Sequence, residues 1–299
     1  MPTVILPDRS VISIAGPDAE HLLQNLVTTD LDKLAPGEAK PGALLTPQGK
    51  ILFDFLISRR GEDGFWLDIR RDVVDDFTRR LMLYKLRAKA EIAKQEQVLV
   101  AASWQDDSDS SDIDSTASDI DSTALLDTRF KTSSVSRLYL NGPAADLRDD
   151  KAAYTRLRIA NGVVESGADY ELSDAFPHDV LLDQLDGIGF SKGCYVGQEV
   201  VSRMKHRGTA RRRVLLAKGT ADLPLAGTDV TVGGRSIGQL GSTHGRDGLA
   251  IVRIDKVKAA IDAGQPILVG ETEIELSIPG WASFSFPADT GPAETSADA

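Results

Sequence analysis

The chain has 299 residues, of which 41% are apolar, 26% charged and 6% aromatic, the composition of an ordinary globular protein and not of a fibrous or disordered one. Its net charge of −11 argues against a general nucleic-acid binder, which needs clustered Lys and Arg to neutralise phosphates. No apolar run approaches the roughly 18 residues of a membrane span, and residues 1–10 lack a basic region followed by an apolar core, so the expectation is a cytoplasmic chain of two or three domains with no membrane partner.

In chain order, Thr3–Leu6 and Val11–Ile14 read as strands around a Pro7-Asp8-Arg9 turn. A helix follows, with Pro17 at its first position, Asp18 and Glu20 at the positive end of its dipole, and Ala19, Leu22, Leu23 and Leu26 on one face. Ala43–Leu45 and Ile51–Ser58 form a hairpin about Thr46-Pro47-Gln48-Gly49, and Phe65–Ile69 joins it through a Gly61-Glu62-Asp63-Gly64 turn. The spacing of Val73, Val74, Phe77, Leu81 and Tyr84 predicts a helix over 72–85, followed by strands at Ala88–Ile92 and Val98–Ala102.

Residues 105–124 hold a tandem repeat, Ser-Asp-Ile-Asp-Ser-Thr-Ala at 111–117 and again at 118–124, with seven aspartates and no Lys or Arg. Such a segment buries too little apolar surface to offset its ordering entropy, so a disordered acidic loop is expected. Strands at Leu125–Asp127 and Arg137–Leu140 and a helix over Lys151–Ile159 resume the mixed pattern. Beyond Arg211 the texture becomes short strand-like runs (Val214–Ala217, Asp229–Val232, Ser236–Leu240, Gly248–Arg253, Pro266–Val269 and Thr272–Ser277) broken by Gly, Pro and Asp, with one helix over Lys256–Ala263. This predicts a small β-barrel or sandwich, and Pro287–Ala299 reads as a tail.

The densest signal is Lys192-Gly193-Cys194-Tyr195-Val196-Gly197-Gln198-Glu199, followed by a basic run from Arg203 to Arg213. Cys194 is the sole cysteine, so it forms no internal disulfide and cannot alone supply the four ligands of a zinc or iron–sulfur site. By itself it reads either as a small buried hydrophobe or as a reactive thiol, its thiolate favoured by nearby Lys192. His206 is a candidate second metal ligand, whereas His21, His178 and His244 show no ligand spacing. The basic run reads as a solvated face, or as an electropositive mouth for a folate tail, a tRNA or an acidic carrier protein.

This eight-residue segment resembles the signature of the YgfZ family, Lys-Gly-Cys-aromatic-x-Gly-Gln-Glu. The likeness extends to Leu45-Thr46-Pro47-Gln48-Gly49-Lys50-Ile51-Leu52 and the β-rich C-terminus, covering residues 3 to about 285. It implies an α+β, T-protein-like folate-binding fold over 1–207, a β-barrel domain over 208–286 and a tail over 287–299. It also implies a role in iron–sulfur cluster assembly, with Cys194 as one ligand of a 2Fe–2S cluster shared with an A-type carrier. In the related T-protein, the aminomethyltransferase of glycine cleavage, a Gly-Gly-x-x-Asp-Asp pattern corresponds to Gly49–Asp54 here, which leaves Asp54 as a folate contact alongside Arg203. The T-protein's pterin-holding glutamate corresponds to Ala160 in Arg158-Ile159-Ala160-Asn161-Gly162, and the position of Cys194 is acidic there. Ala160 cannot hydrogen-bond a pterin through its side chain, so the resemblance implies the folate-binding fold more strongly than tight tetrahydrofolate binding. It implies a non-enzymatic cluster-assembly factor rather than an active folate-dependent aminomethyltransferase. The second rival, an RNA-binding module of tRNA modification, is permitted by the basic run but not encouraged by the sparse aromatics around it.

Overall fold

The computed structural model describes residues 1–105, 122–142 and 150–287. Strands β1 (Thr3–Ile5), β2 (Arg9–Ala15), β3 (Glu38–Leu45), β4 (Ile51–Arg60), β5 (Gly64–Arg70), β6 (Glu91–Lys94), β7 (Val98–Trp104), β8 (Ser122–Asp127) and β9 (Val135–Asn141) form one sheet in the order β1-β7-β9-β8-β3-β4-β5-β2-β6. Its neighbours are antiparallel except β3 and β8, which run parallel and register at Glu38 with Leu126 and Ala39 with Asp127. Helices α1 (Ala19–Gln24) and α2 (Val74–Lys85) bury Leu22, Leu23, Phe77 and Leu81 against Phe53, Phe55 and Phe65 of the sheet. Helix α3 (Lys151–Asn161) places Tyr154 in a second core with Val4, Val100, Trp104 and Tyr139.

After α4 (Gln198–Arg207), six strands close into a barrel in the order β10-β13-β12-β11-β14-β15: β10 (Arg212–Gly219), β11 (Asp229–Val232), β12 (Arg235–His244), β13 (Asp247–Arg253), β14 (Ile267–Val269) and β15 (Thr272–Ser277). Helix α5 (Ile254–Asp262) adds Ile254, Val257 and Ala260 to the barrel core of Leu215, Val230, Leu240 and Val252. Closure removes the open edges that short strands would otherwise present.

Several boundaries differ from the sequence expectation. β3 begins at Glu38 and runs through Pro41; its pairing with β8 stops at Ala39, so the proline's missing N–H costs no ladder bond on that side. The predicted strand over 88–92 lies instead at Glu91–Lys94, where β6 pairs with β2. The predicted acidic loop ends earlier than 124, because Ser122, Thr123 and Ala124 pair with Leu140, Tyr139 and Leu138. Its remainder, and the tail beyond Pro287, lie outside the described residues.

A chain of buried charges joins these layers. Asp68 on β5 accepts from Arg9 Nε at 2.6 Å and lies 3.0 Å from Arg137 Nε, and all three side chains are essentially excluded from solvent. Arg137 also stands 3.8 Å from Asp127; its nitrogens meet these carboxylates as charge contacts rather than aligned hydrogen bonds. Asp127 pairs with Arg129 at 2.7 Å, Arg129 reaches Glu165 at 3.3 Å, and Arg158 bonds Asp169 at 2.8 Å and Ser242 of the barrel at 2.9 Å. Burial pushes the Glu165 carboxyl up, yet the charges of Arg158, Arg129, Arg9 and Arg137 overcome it and hold it well below the usual carboxylate range. Asp68→Ala strands two buried guanidinium groups, and the expected cost is about 3–5 kcal/mol, read as a lower midpoint in guanidinium unfolding. A midpoint that does not move would show that Arg9 and Arg137 find other partners.

Candidate functional site

Between α3 and α4 the chain runs as turns, and residues 187–197 form a loop pinned at both ends. On one side it is stitched to the segment after α1. Thr28 Oγ1 donates to Gly187 O at 2.7 Å, Gly189 N to Thr28 O at 2.7 Å, and Lys33 Nζ to Ser191 Oγ at 3.0 Å. Lys192 Nζ donates to Val27 O at 2.8 Å and Thr29 O at 2.7 Å. Thr28 is itself fixed to β3, exchanging bonds with Ala43 through its own N–H and hydroxyl, each at 2.9 Å.

At the other end two glycines interlock. Gly197, at φ +80°, caps α4 where a Cβ would sit 2.6 Å from Thr46 O and 3.1 Å from Gly49 Cα. Gly49, at φ +79°, would bring a Cβ within 2.9 Å of Val200. Neither position admits a side chain, so the β3–β4 turn and the start of α4 meet backbone to backbone. Gln198 N–H bonds Tyr195 O at 3.2 Å, and Glu199 is exposed in the first turn of α4, where the helix dipole favours an acid.

Between these anchors Tyr195 turns inward to pack with Leu45, Ile51 and Val201. Its ring centroid lies 5.3 Å from Lys192 Nζ, its hydroxyl has no hydrogen-bond partner, and burial pushes its phenol upward. Gly193 and Cys194 are exposed, with nothing within 4 Å of a Gly193 Cβ. The buried-hydrophobe reading of Cys194 is thereby excluded. The Lys192 ammonium is engaged by backbone carbonyls, and burial brings it down to about 8 against the opposing pull of Asp30 and Asp32. Lys192 is a clamp on the loop that displays the thiol.

Two clefts open on the described chain. One of about 370 Å³ lies between Ile188–Ser191 of the cysteine loop and Asp30, Lys33 and Lys40. A larger one, about 520 Å³, opens between the β1–β2 turn, the end of β5, α3 and residues 165–168, where Arg9, Arg70, Arg71, Lys151 and Arg158 outnumber Asp8, Asp72 and Glu165. Asp54 stands half-buried behind this wall, accepting from Ser166 Oγ at 2.5 Å and from the Tyr170 hydroxyl. Arg203 and His206 are exposed on α4, away from the lining of either cleft, and Ala160 faces solvent from α3. Among the described residues no group of three or more His, Cys, Asp or Glu side chains is arranged to hold a metal ion.

The basic run does not form one face. Arg213 is buried, donating to His178 O at 2.8 Å and Asp183 at 2.6 Å; Arg212 lies 3.3 Å from Asp174; Lys205 Nζ sits 3.5 Å over the Phe190 ring of the cysteine loop. Arg203, His206, Arg207 and Arg211 remain exposed. Sequence reasoning passed over His178 as structural and missed Thr28 altogether. His178 is buried against Phe190 with neither ring nitrogen partnered. The only sequence signal at Thr28 is the run of polar residues Thr28-Thr29-Asp30 directly after an apolar helix face.

Residues 8–101 match the GCVT N-terminal domain and residues 211–284 the CAF17 C-terminal beta-barrel domain. The chain is 27% identical to the mitochondrial iron–sulfur cluster assembly factor IBA57 of Mus musculus and to that of Homo sapiens, over 92% of this chain and 84% of each relative. A mitochondrial homologue of that factor from Chaetomium globosum is 32% identical over 70% of this chain and 54% of its own length. In fold, the chain resembles the crystal structure of the glycine cleavage system aminomethyltransferase T from Bartonella henselae, with a TM-score of 0.72 at 16% identity over 94% of this chain and 86% of that one. These sequence relatives are mitochondrial, which overturns the cytoplasmic expectation. That expectation rested on residues 1–10, and a targeting leader is no part of the fold.

The neighbours His178 and Asp179 pull stability in opposite directions with pH. Burial lowers His178 from 6.5 to about 4, so its contribution is present above pH 6.5 and lost as pH falls through 4; burial raises Asp179 from 3.8 to about 6, so its contribution is present below pH 3.8 and lost as pH rises through 6. The two oppose each other between pH 4 and 6. Asp179→Asn is expected to unmask the histidine, with stability falling by about 2–3 kcal/mol as pH drops from 6.5 to 4. Denaturant melts across that range check it, and a flat profile in the variant would mean that the fold does not depress the His178 imidazole.

Proposed function

We propose that this chain, a member of the YgfZ family of T-protein-fold proteins, is an iron–sulfur cluster assembly factor whose Cys194 binds a 2Fe–2S cluster jointly with a partner. The observation that carries this reading is the exposure of the sole cysteine on a loop clamped on both sides. A thiolate suits iron, but one thiolate leaves a cluster short of ligands. The remaining ligands come from the partner, for which an A-type carrier is the candidate. A cluster held across two proteins is cargo that passes on by exchanging one partner's ligands for another's. The exposed Arg203, Arg207 and Arg211 favour a carrier with an acidic docking face and make encounter faster at low salt.

The cationic cleft supports a second part of the reading, tetrahydrofolate as a bound ligand. Its volume of about 520 Å³ suits a small molecule, and Arg71, the lining guanidinium that pairs with no acid among the described residues, suits a carboxylate of a folate tail. The pterin end fits less well, since Ala160 faces solvent and Asp54 and Glu165 are already bonded within the protein. When bound, the folate would offer a one-carbon carrier; this chain's own residues would hold its anionic tail.

Cys194→Ser changes one atom on an exposed loop, so the melting temperature should stay within about 1 °C, because surface substitutions rarely move stability by more than about 0.5 kcal/mol. The same variant should lose the visible absorption formed with an A-type carrier and an iron and sulfide source, and should fail to complement a cluster-assembly defect. Full complementation by the serine variant would end the ligand reading. For the folate part, calorimetry with tetrahydrofolate should show binding that Arg71→Glu weakens at least tenfold. The absence of binding heat would retire the folate reading and leave the cluster reading standing.

A further inference from the structure

We propose that the exposed end of α2 docks on the surface of an anionic bilayer. Met82, Leu83 and Leu86 stand 47, 68 and 86% exposed within five residues of one another, whereas the other exposed large apolar side chains of the described chain, Met1, Leu126, Leu225 and Ile261, are scattered singly. Isolated apolar residues on a surface need no explanation, but a contiguous group does.

Charge gathers at the same place. Arg79, Arg80, Arg87 and Lys89 are exposed and Lys85 half-exposed, and residues 81–90 contain no acid in a chain whose net charge is −11. Arg79 pairs with Asp76, and Asp75 pairs with Lys94 at 3.3 Å. Among the described residues, the side chains of Arg80, Lys85, Arg87 and Lys89 have no ion-pair partner. The backbone adds an independent sign. Leu86 ends the helix at φ 46° and ψ −107°, a conformation that costs free energy for a residue with a branched side chain, and its exposed side chain recovers nothing from the interior.

An amphipathic helix end with apolar side chains ringed by unpaired cations has the chemistry of an interfacial anchor, the apolar groups entering below the headgroups and the cations meeting lipid phosphates. Three side chains fall well short of the roughly 800 Å² per partner that a stable protein interface buries, so a bilayer is favoured over a protein partner. No helix of the described chain is long and apolar enough to cross a membrane, so the contact lies on the surface. This inference is independent of the cluster reading.

The test is flotation of the full chain with vesicles of phosphatidylcholine alone and with vesicles containing about a third of phosphatidylglycerol, at low and at physiological salt. We expect at least tenfold more protein on the anionic vesicles, reduced by added salt. Leu83→Asp with Leu86→Asp should abolish the difference while leaving the melting temperature unchanged, because both side chains are exposed. Arg80→Glu with Arg87→Glu should reduce it at least fivefold. No binding to anionic vesicles at low salt overturns the proposal, as does undiminished binding by the leucine double variant. Loss of an acidic protein's binding in that variant, without vesicle binding by the parent chain, overturns it in favour of a protein dock.

Discussion

The buried pairing of Asp68 with Arg9 and Arg137 is the constraint on which the rest of the molecule depends. Three strands meet at one carboxylate, β5 holding Asp68, β2 holding Arg9 and β9 holding Arg137. The charges continue through Asp127, Arg129 and Glu165 to Arg158 and Asp169, whose bonds reach Ser242 of the barrel. The two halves of the large sheet share only a short parallel register between β3 and β8. The charged chain is therefore a principal link between those halves and from them to the barrel. Buried ion pairs add little net stability over apolar packing, but each member is intolerant of losing its partner. Such a network therefore specifies one arrangement of layers more than it strengthens it.

That arrangement makes the cysteine loop a defined object. The loop owes its position to segments far away in the chain: Val27–Lys33, the Thr46–Gly49 turn and the first residues of α4. Lys192 and Tyr195, which flank Gly193 and Cys194, both turn inward and meet each other as cation and ring. Their inward direction is what leaves the thiol outward. A thiol displayed on a clamped backbone loses little conformational freedom when a second protein engages it, and preorganisation of this kind favours a shared ligand.

Much of this was legible in the sequence. Alternation, turn residues and helical spacing located β7, β9, β11, β15, α3 and the barrel texture to within a few residues, because each is set by local periodicity and by Gly, Pro and Asp at the breaks. The motif at Lys192–Glu199 and the hairpin turn at Thr46–Gly49 were both visible, and the lone cysteine alone dictated that any cluster needs outside ligands. Alternation and turn chemistry mark a strand without naming its partner. The tertiary structure decided that the two glycine-bearing segments touch, that Lys192 reaches the carbonyls of Val27 and Thr29, that Arg213 is buried while Arg203 is exposed, and that Ser122–Ala124 belong to a strand. Each of those outcomes depends on groups brought together across 14 to 165 residues, and neither a charge nor a glycine records in its own neighbourhood which distant backbone will approach it.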